Sequence, residues 1–166
     1  MSSSTRNAPR SYGPDDDPLQ KRVYDWERAC VDSRARPEIM SREQCASFIR
    51  LVVRSRPISV RSLRFTATGD CYATPAGLIS IADWGRTKHT ILHELAHLVT
   101  FDAVAGGEPA HGESFVLAVI ELYAEFLGLD VQDLSRSAQV FGVLTEKGAA
   151  RLVRKAPSVP YCDLDW

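Results

Sequence analysis

The stretch His93-Glu94-Leu95-Ala96-His97 constrains this chain more than any other. Residues four apart share one face of an α-helix, so two histidines at this spacing turn their imidazoles the same way. The glutamate after the first histidine points about 100° away from it around the axis. It can stand beside a bound ion without ligating it and exchange a proton with water there. The flanking residues predict a helix over about 86–101. On a helical wheel Ile91, Leu92, Leu95, Ala96, Leu98 and Val99 fill one continuous arc. His89, Thr90, His93, Glu94, His97 and Phe101 fill the opposite arc. The expectation is a helix with one side for burial and the other for ligands and base.

Two histidines do not complete a catalytic zinc site, which usually takes three protein ligands and a water. The chain holds four histidines. His89 lies eight residues before His97, about 12 Å along a helix axis, so these two cannot share an ion. His89 is expected on the surface or lining a cleft. His111 follows a break at Gly106-Gly107 and Pro109 and opens a second helix, predicted over 111–127 with Gly128 as its C-terminal cap. Were that helix antiparallel to the first, its start would return toward the histidine pair. His111 also lies at the edge of the buried arc formed by Phe115, Val119, Leu122 and Phe126. Its rivals are Glu121 or Glu125 on the polar side of the same helix, and Asp102. The two glutamates stand about 15–21 Å from His111 along the axis, so they and His111 are exclusive choices.

The remaining pattern is that of a single domain. Residues 1–17 are polar, with an Asp15-Asp16-Asp17 run, and read as a disordered tail. From Pro18 to about Ser33, Val23, Trp26, Ala29 and Cys30 recur at helical spacing. Ser41 with Gln44 three residues on is a capping box. The helix it opens carries Cys45, Phe48, Ile49, Val52 and Val53 and stops before Pro57. Leu63, Phe65 and Ala67 then alternate with polar residues, Gly69-Asp70 reads as a hairpin turn, and 71–74 and 78–82 read as further strands. The last of these is either an inner strand or an exposed edge able to pair with an extended substrate. Short helices are predicted over 131–141 and 146–154, and 156–166 reads as an extended tail. The result is an α+β domain spanning 18–155: a small antiparallel β-meander packed on helices, with the histidine helix and its antiparallel successor forming the metal site.

Composition narrows the partners. Hydrophobic residues make up 45% and the net charge is −1, which gives a core but no strong surface field. Arg42, Arg50, Arg54, Arg56, Arg61 and Arg64 gather against one acid, Glu43, and read as a solvated face or a docking patch. A dedicated nucleic-acid binder is not expected. No leader-like or membrane-spanning apolar run is visible, so a cytoplasmic location away from membranes is the expectation. Cys30, Cys45, Cys71 and Cys162 are scattered and read as free thiols rather than a thiolate zinc site. Tyr72 and Tyr123 are phenols that could face an oxyanion, and neither is assigned that role.

Taken together, His93-Glu94-Leu95-Ala96-His97 and His111-Gly112-Glu113-Ser114-Phe115 resemble the minimal arrangement of the zincin metallopeptidases, H-E-x-x-H followed by H-G-x-x-F/W. SprT-like proteases are the best-known example, and a group of small actinobacterial metallohydrolases is more similar still. The resemblance covers roughly residues 63–127. It implies a zincin-like domain with one Zn²⁺ per chain held by His93, His97 and His111, Glu94 as catalytic base, and a peptide or protein substrate. Thr100 and Ala103 stand where metzincins have a glycine and a histidine, and the C-x-x-C ribbon of SprT-like repair proteases is missing. The expected activity is zinc-dependent amide hydrolysis. The alternative is a catalytically inactive, zinc-stabilised interaction protein with a closed site.

Overall fold

The computed structural model describes residues 17–155, apart from residue 36, as a mix of helices and one small three-stranded sheet. The tails expected over 1–17 and 156–166 lie outside these residues except for Asp17, as does Cys162.

Near the N-terminus, α1 (Gln20–Glu27) runs into a π-helical turn (Arg28–Asp32) and a final helical turn, α2 (Ser33–Ala35). Its buried side is Val23, Trp26 and Glu27. The Trp26 indole nitrogen donates to Ser137 Oγ at 2.9 Å, which ties α1 to a helix more than a hundred residues away. α3 (Arg42–Ser55) begins at the expected capping box: Ser41 Oγ accepts from Gln44 N at 3.1 Å, and Ser41 N donates back to Gln44 Oε1 at 2.7 Å. Such a cap contributes about 0.5–2 kcal/mol. α3 buries Cys45, Phe48, Ile49 and Val52.

The sheet departs from the expected meander. β1 (Ser62–Thr66) pairs in parallel with β3 (Leu78–Ala82), Leu63 beside Ile79 and Phe65 beside Ile81. β2 (Tyr72–Ala73) pairs antiparallel with the other side of β3, so the strand order is β1-β3-β2. The physical reason lies in β3, where Ile79, Ser80, Ile81 and Ala82 are all buried. A strand buried on both faces is an interior strand, and this one takes a neighbour on each edge. Gly69-Asp70 is therefore part of a crossing loop and not a β1–β2 hairpin. The tight turn is the later one, where Gly77 at φ +84° donates to Thr74 O at 2.9 Å. β3 is the inner strand, with β1 along one edge and β2 along part of the other.

Two long helices, packed on each other, carry the second half of the domain. α4 (Lys88–Ala105) starts at Thr87, whose hydroxyl accepts from Thr90 N at 3.3 Å. α5 (Glu113–Leu127) packs against α4 and ends at Gly128, left-handed at φ +68°. α6 (Val131–Val140) and α7 (Glu146–Lys155) cover its far side. The two-arc picture of α4 needs correction. Ile91, Leu92, Leu95 and Ala96 are buried as expected, but so are Thr90, His93 and Glu94, while Val99 is exposed. The polar arc is not a wet face, because α1 and the start of α5 lie over it. No helix among the described residues is long and apolar enough to cross a membrane.

Candidate metal centre

α4 aligns His93 and His97, and the loop between α4 and α5 brings His111 to them. That loop turns at Gly107, φ +99°, and is clamped by Glu108, whose carboxylate accepts from both Ser114 N and Ser114 Oγ at 2.7 Å. The clamp caps the start of α5 and explains Gly112. A Cβ there would stand 2.6 Å from Glu108 Cγ and 2.9 Å from Pro109 O. Phe115, four residues beyond His111, slides its ring under all three imidazoles, with centroids 4.5–4.9 Å away.

The three histidines converge. Their candidate ligand atoms lie within 4.8 Å of one another, and His93 Nε2 stands 3.3 Å from His111 Nε2. His93 Nδ1 donates to Glu27 Oε1 at 2.8 Å, and His111 Nδ1 donates to Asp17 Oδ2 at 2.7 Å. With each Nδ1 carrying its proton toward a carboxylate, each Nε2 turns inward. Two lone pairs facing each other at this distance call for a cation or a shared proton between them. Nitrogens bound at about 2.0–2.1 Å to a tetrahedral ion stand roughly 3.3–3.4 Å apart, so this spacing fits zinc. Carboxylates behind ligating histidines are the usual support of such sites. This buried group could hold a metal ion.

Electrostatics separates the roles. Burial alone would pull the His93 imidazole down, but the adjoining Glu27 carboxylate outweighs it and holds His93 above its ordinary value. Burial would raise Glu27, and its partners His93 and Tyr123 hold it below its usual range instead. At His97 burial, with the charge on His93 and His111, pushes the imidazole well below the ordinary histidine value. Burial also lowers His111, with Asp17 opposing. Glu94 is pushed up to about 7 by burial, aided by the Glu27 charge and opposed by His93.

Other candidates go elsewhere. His89 stands 3.1 Å from Asp32 and outside the trio. Glu121 and Glu125 face Arg56, at 3.2 and 2.7 Å, so that arginine of the cluster braces α3 against α5. Asp102 is exposed. Tyr123 is buried and donates to Glu27 Oε1 at 2.7 Å, so it supports the support. Tyr72 hydrogen-bonds to Arg64. Sequence reasoning missed Asp17, Tyr24 and Glu27. Glu27 had a faint signal, since it follows Val23 by four residues on the buried side of α1.

Comparison of the chain with known protein families, curated proteins and solved structures gives no match.

Proposed function

We propose that this protein is a zinc-dependent hydrolase, in the simplest case a metallopeptidase of zincin type, with His93, His97 and His111 as ligands and Glu94 as general base. The observation that carries the proposal is the convergence of three imidazoles, two braced at Nδ1 by carboxylates with buried side chains, beside a third carboxyl group, that of Glu94, which braces nothing in the trio. Among the described residues no further His, Cys, Asp or Glu joins the trio. That count, three protein ligands, is that of catalytic zinc sites rather than closed structural ones. The ion supplies Lewis-acid activation of water and of a substrate carbonyl. Glu94 accepts the proton that the water loses and returns it to the departing amine. Burial raises the Glu94 carboxyl in the metal-free site, and a bound cation would draw it back down toward the ionised form a general base needs. Phe115 keeps one side of the imidazoles dry, and the α4 core holds the base in place from behind.

A second reading has one observation in its favour. His93, Glu94 and His111 are only 4–5% exposed, a depth that also suits a zinc-stabilised interaction protein. Glu94→Gln separates the two. As a hydrolase, the variant keeps its fold and zinc, because Glu94 is not a ligand. Its peptide cleavage, followed in a proteomic substrate screen against wild type, falls about 10²–10⁴-fold. Cleavage equal to wild type would overturn the assignment of the base. Loss of zinc would make Glu94 a ligand and the mechanism wrong.

A further inference from the structure

Asp17, Tyr24 and Glu27 belong to one short N-terminal stretch, and all three meet the histidines. Asp17 Oδ2 accepts from both His111 N and His111 Nδ1, at 2.9 and 2.7 Å. The Tyr24 ring lies 5.5 Å from the His93 ring and 5.4 Å from the His111 ring. Glu27 is 7% exposed, and its two oxygens lie 2.8 and 3.1 Å from His93 Nδ1. Residues 17–27 therefore form one wall of the candidate metal centre, although they lie 66 to 94 positions from the histidines they support.

We propose that docking of this N-terminal stretch and metal binding are one coupled equilibrium, with Asp17 and Glu27 as positioning residues for the two braced ligands. The proposal rests on the metal reading of the trio. A carboxylate on Nδ1–H fixes the tautomer that leaves Nε2 free to bind, fixes the ring plane and strengthens the ligand. The dependence runs both ways. A buried carboxylate is tolerated only while its donors stay in place, so Glu27 is held by His93 and Tyr123 as much as it holds them. An ion that pins His93 and His111 thus stabilises the docked stretch, and an undocked stretch must weaken the ion by the same factor. Whatever draws Asp17 away from His111 would act on metal affinity.

The test uses the full chain. Hydrogen exchange read by mass spectrometry compares zinc-loaded protein with chelator-stripped protein, and chelator competition gives zinc affinity. The expected result is that amides within 17–27 exchange at least about 10-fold more slowly with zinc, while those of α3 are unchanged. Asp17→Asn and Glu27→Gln should each weaken zinc about 10- to 100-fold, the usual loss for such partners. Lys21→Ala, on the exposed side of the same helix, should not. Fully loaded with cobalt(II), Glu27→Gln should show displaced visible bands, which a merely structural residue would leave in place. Zinc binding to wild type with no protection of 17–27, or with unchanged affinity in both variants, would overturn the coupling and leave the metal site standing. A wild-type protein that binds no zinc would overturn the metal reading itself. Should a variant fail to fold, the wild-type exchange comparison decides alone.

Discussion

Glu27 shows how a functional residue hides in a sequence. It lies on a helix whose visible signal is apolar, Val23, Trp26, Ala29 and Cys30, and its partner His93 is 66 positions away. Asp17 hides differently, as the last member of an acidic run whose composition reads as tail. Neither forms a local motif with the histidine it braces, so only tertiary structure reveals the pairing. His93, His97 and Glu94 were legible because one helical repeat puts their chemistry in five consecutive residues. The cysteines offer a residue-scale check on burial. Cys71 packs its sulfur where a side chain on Gly85 would stand, accepts from Ala82 N at 3.3 Å, and is pushed up to about 11 by burial. Alkylation needs the thiolate, which is scarce well below that value. At pH 8 the native protein should alkylate at Cys71 about two orders of magnitude more slowly than the unfolded chain, by peptide mass spectrometry, and the rate should climb as pH approaches 11. Equal rates in both states would show that Cys71 is not packed as described.

At the scale of elements, helices were more legible than strands. α3, α5 and α6 begin or end on chemistry that is local: Ser41 with Gln44, Gly128, and Asp130, whose carboxylate accepts from Asp133 N at 2.9 Å. Strand order is not local. Alternation marked β1, and the segment 78–82 read as a further strand, but nothing in either segment says that they lie side by side in parallel. Only the fold shows β3 buried on both faces, with a neighbour on each edge. The loop from α4 to α5 is the element on which the site depends most. Gly112 sits there because a Cβ would meet Glu108 and Pro109, and not because of a special backbone angle. Gly112→Ala should push Glu108 off Ser114 and shift the loop that carries His111. The expected cost is about 1–3 kcal/mol in chemical denaturation, as for other overpacked sites, together with weaker zinc binding. Unchanged stability and unchanged zinc would mean that the close approach is not there.

Across the whole molecule, the site joins segments from distant parts of the described chain. α4 supplies two histidines and the carboxyl group, the α4–α5 loop the third histidine, and the N-terminal stretch two bracing carboxylates. The three-stranded sheet packs on α4 and supplies none of the three histidines. The mixed helix-and-sheet architecture was legible from periodicity. The enclosure of α4 was not, because a helical wheel cannot show that a polar arc will be covered by other polar groups that satisfy it. In the proposed function one zinc ion is held by His93, His97 and His111 and by no other protein group. Zinc K-edge X-ray absorption on the purified protein measures this directly. The expected result is close to one zinc per chain, three imidazole nitrogens at about 2.0–2.1 Å, one further light-atom ligand from solvent and no sulfur, with the zinc signal lost or much reduced in His111→Ala. A sulfur ligand, only two imidazoles, or full zinc occupancy in His111→Ala would contradict it.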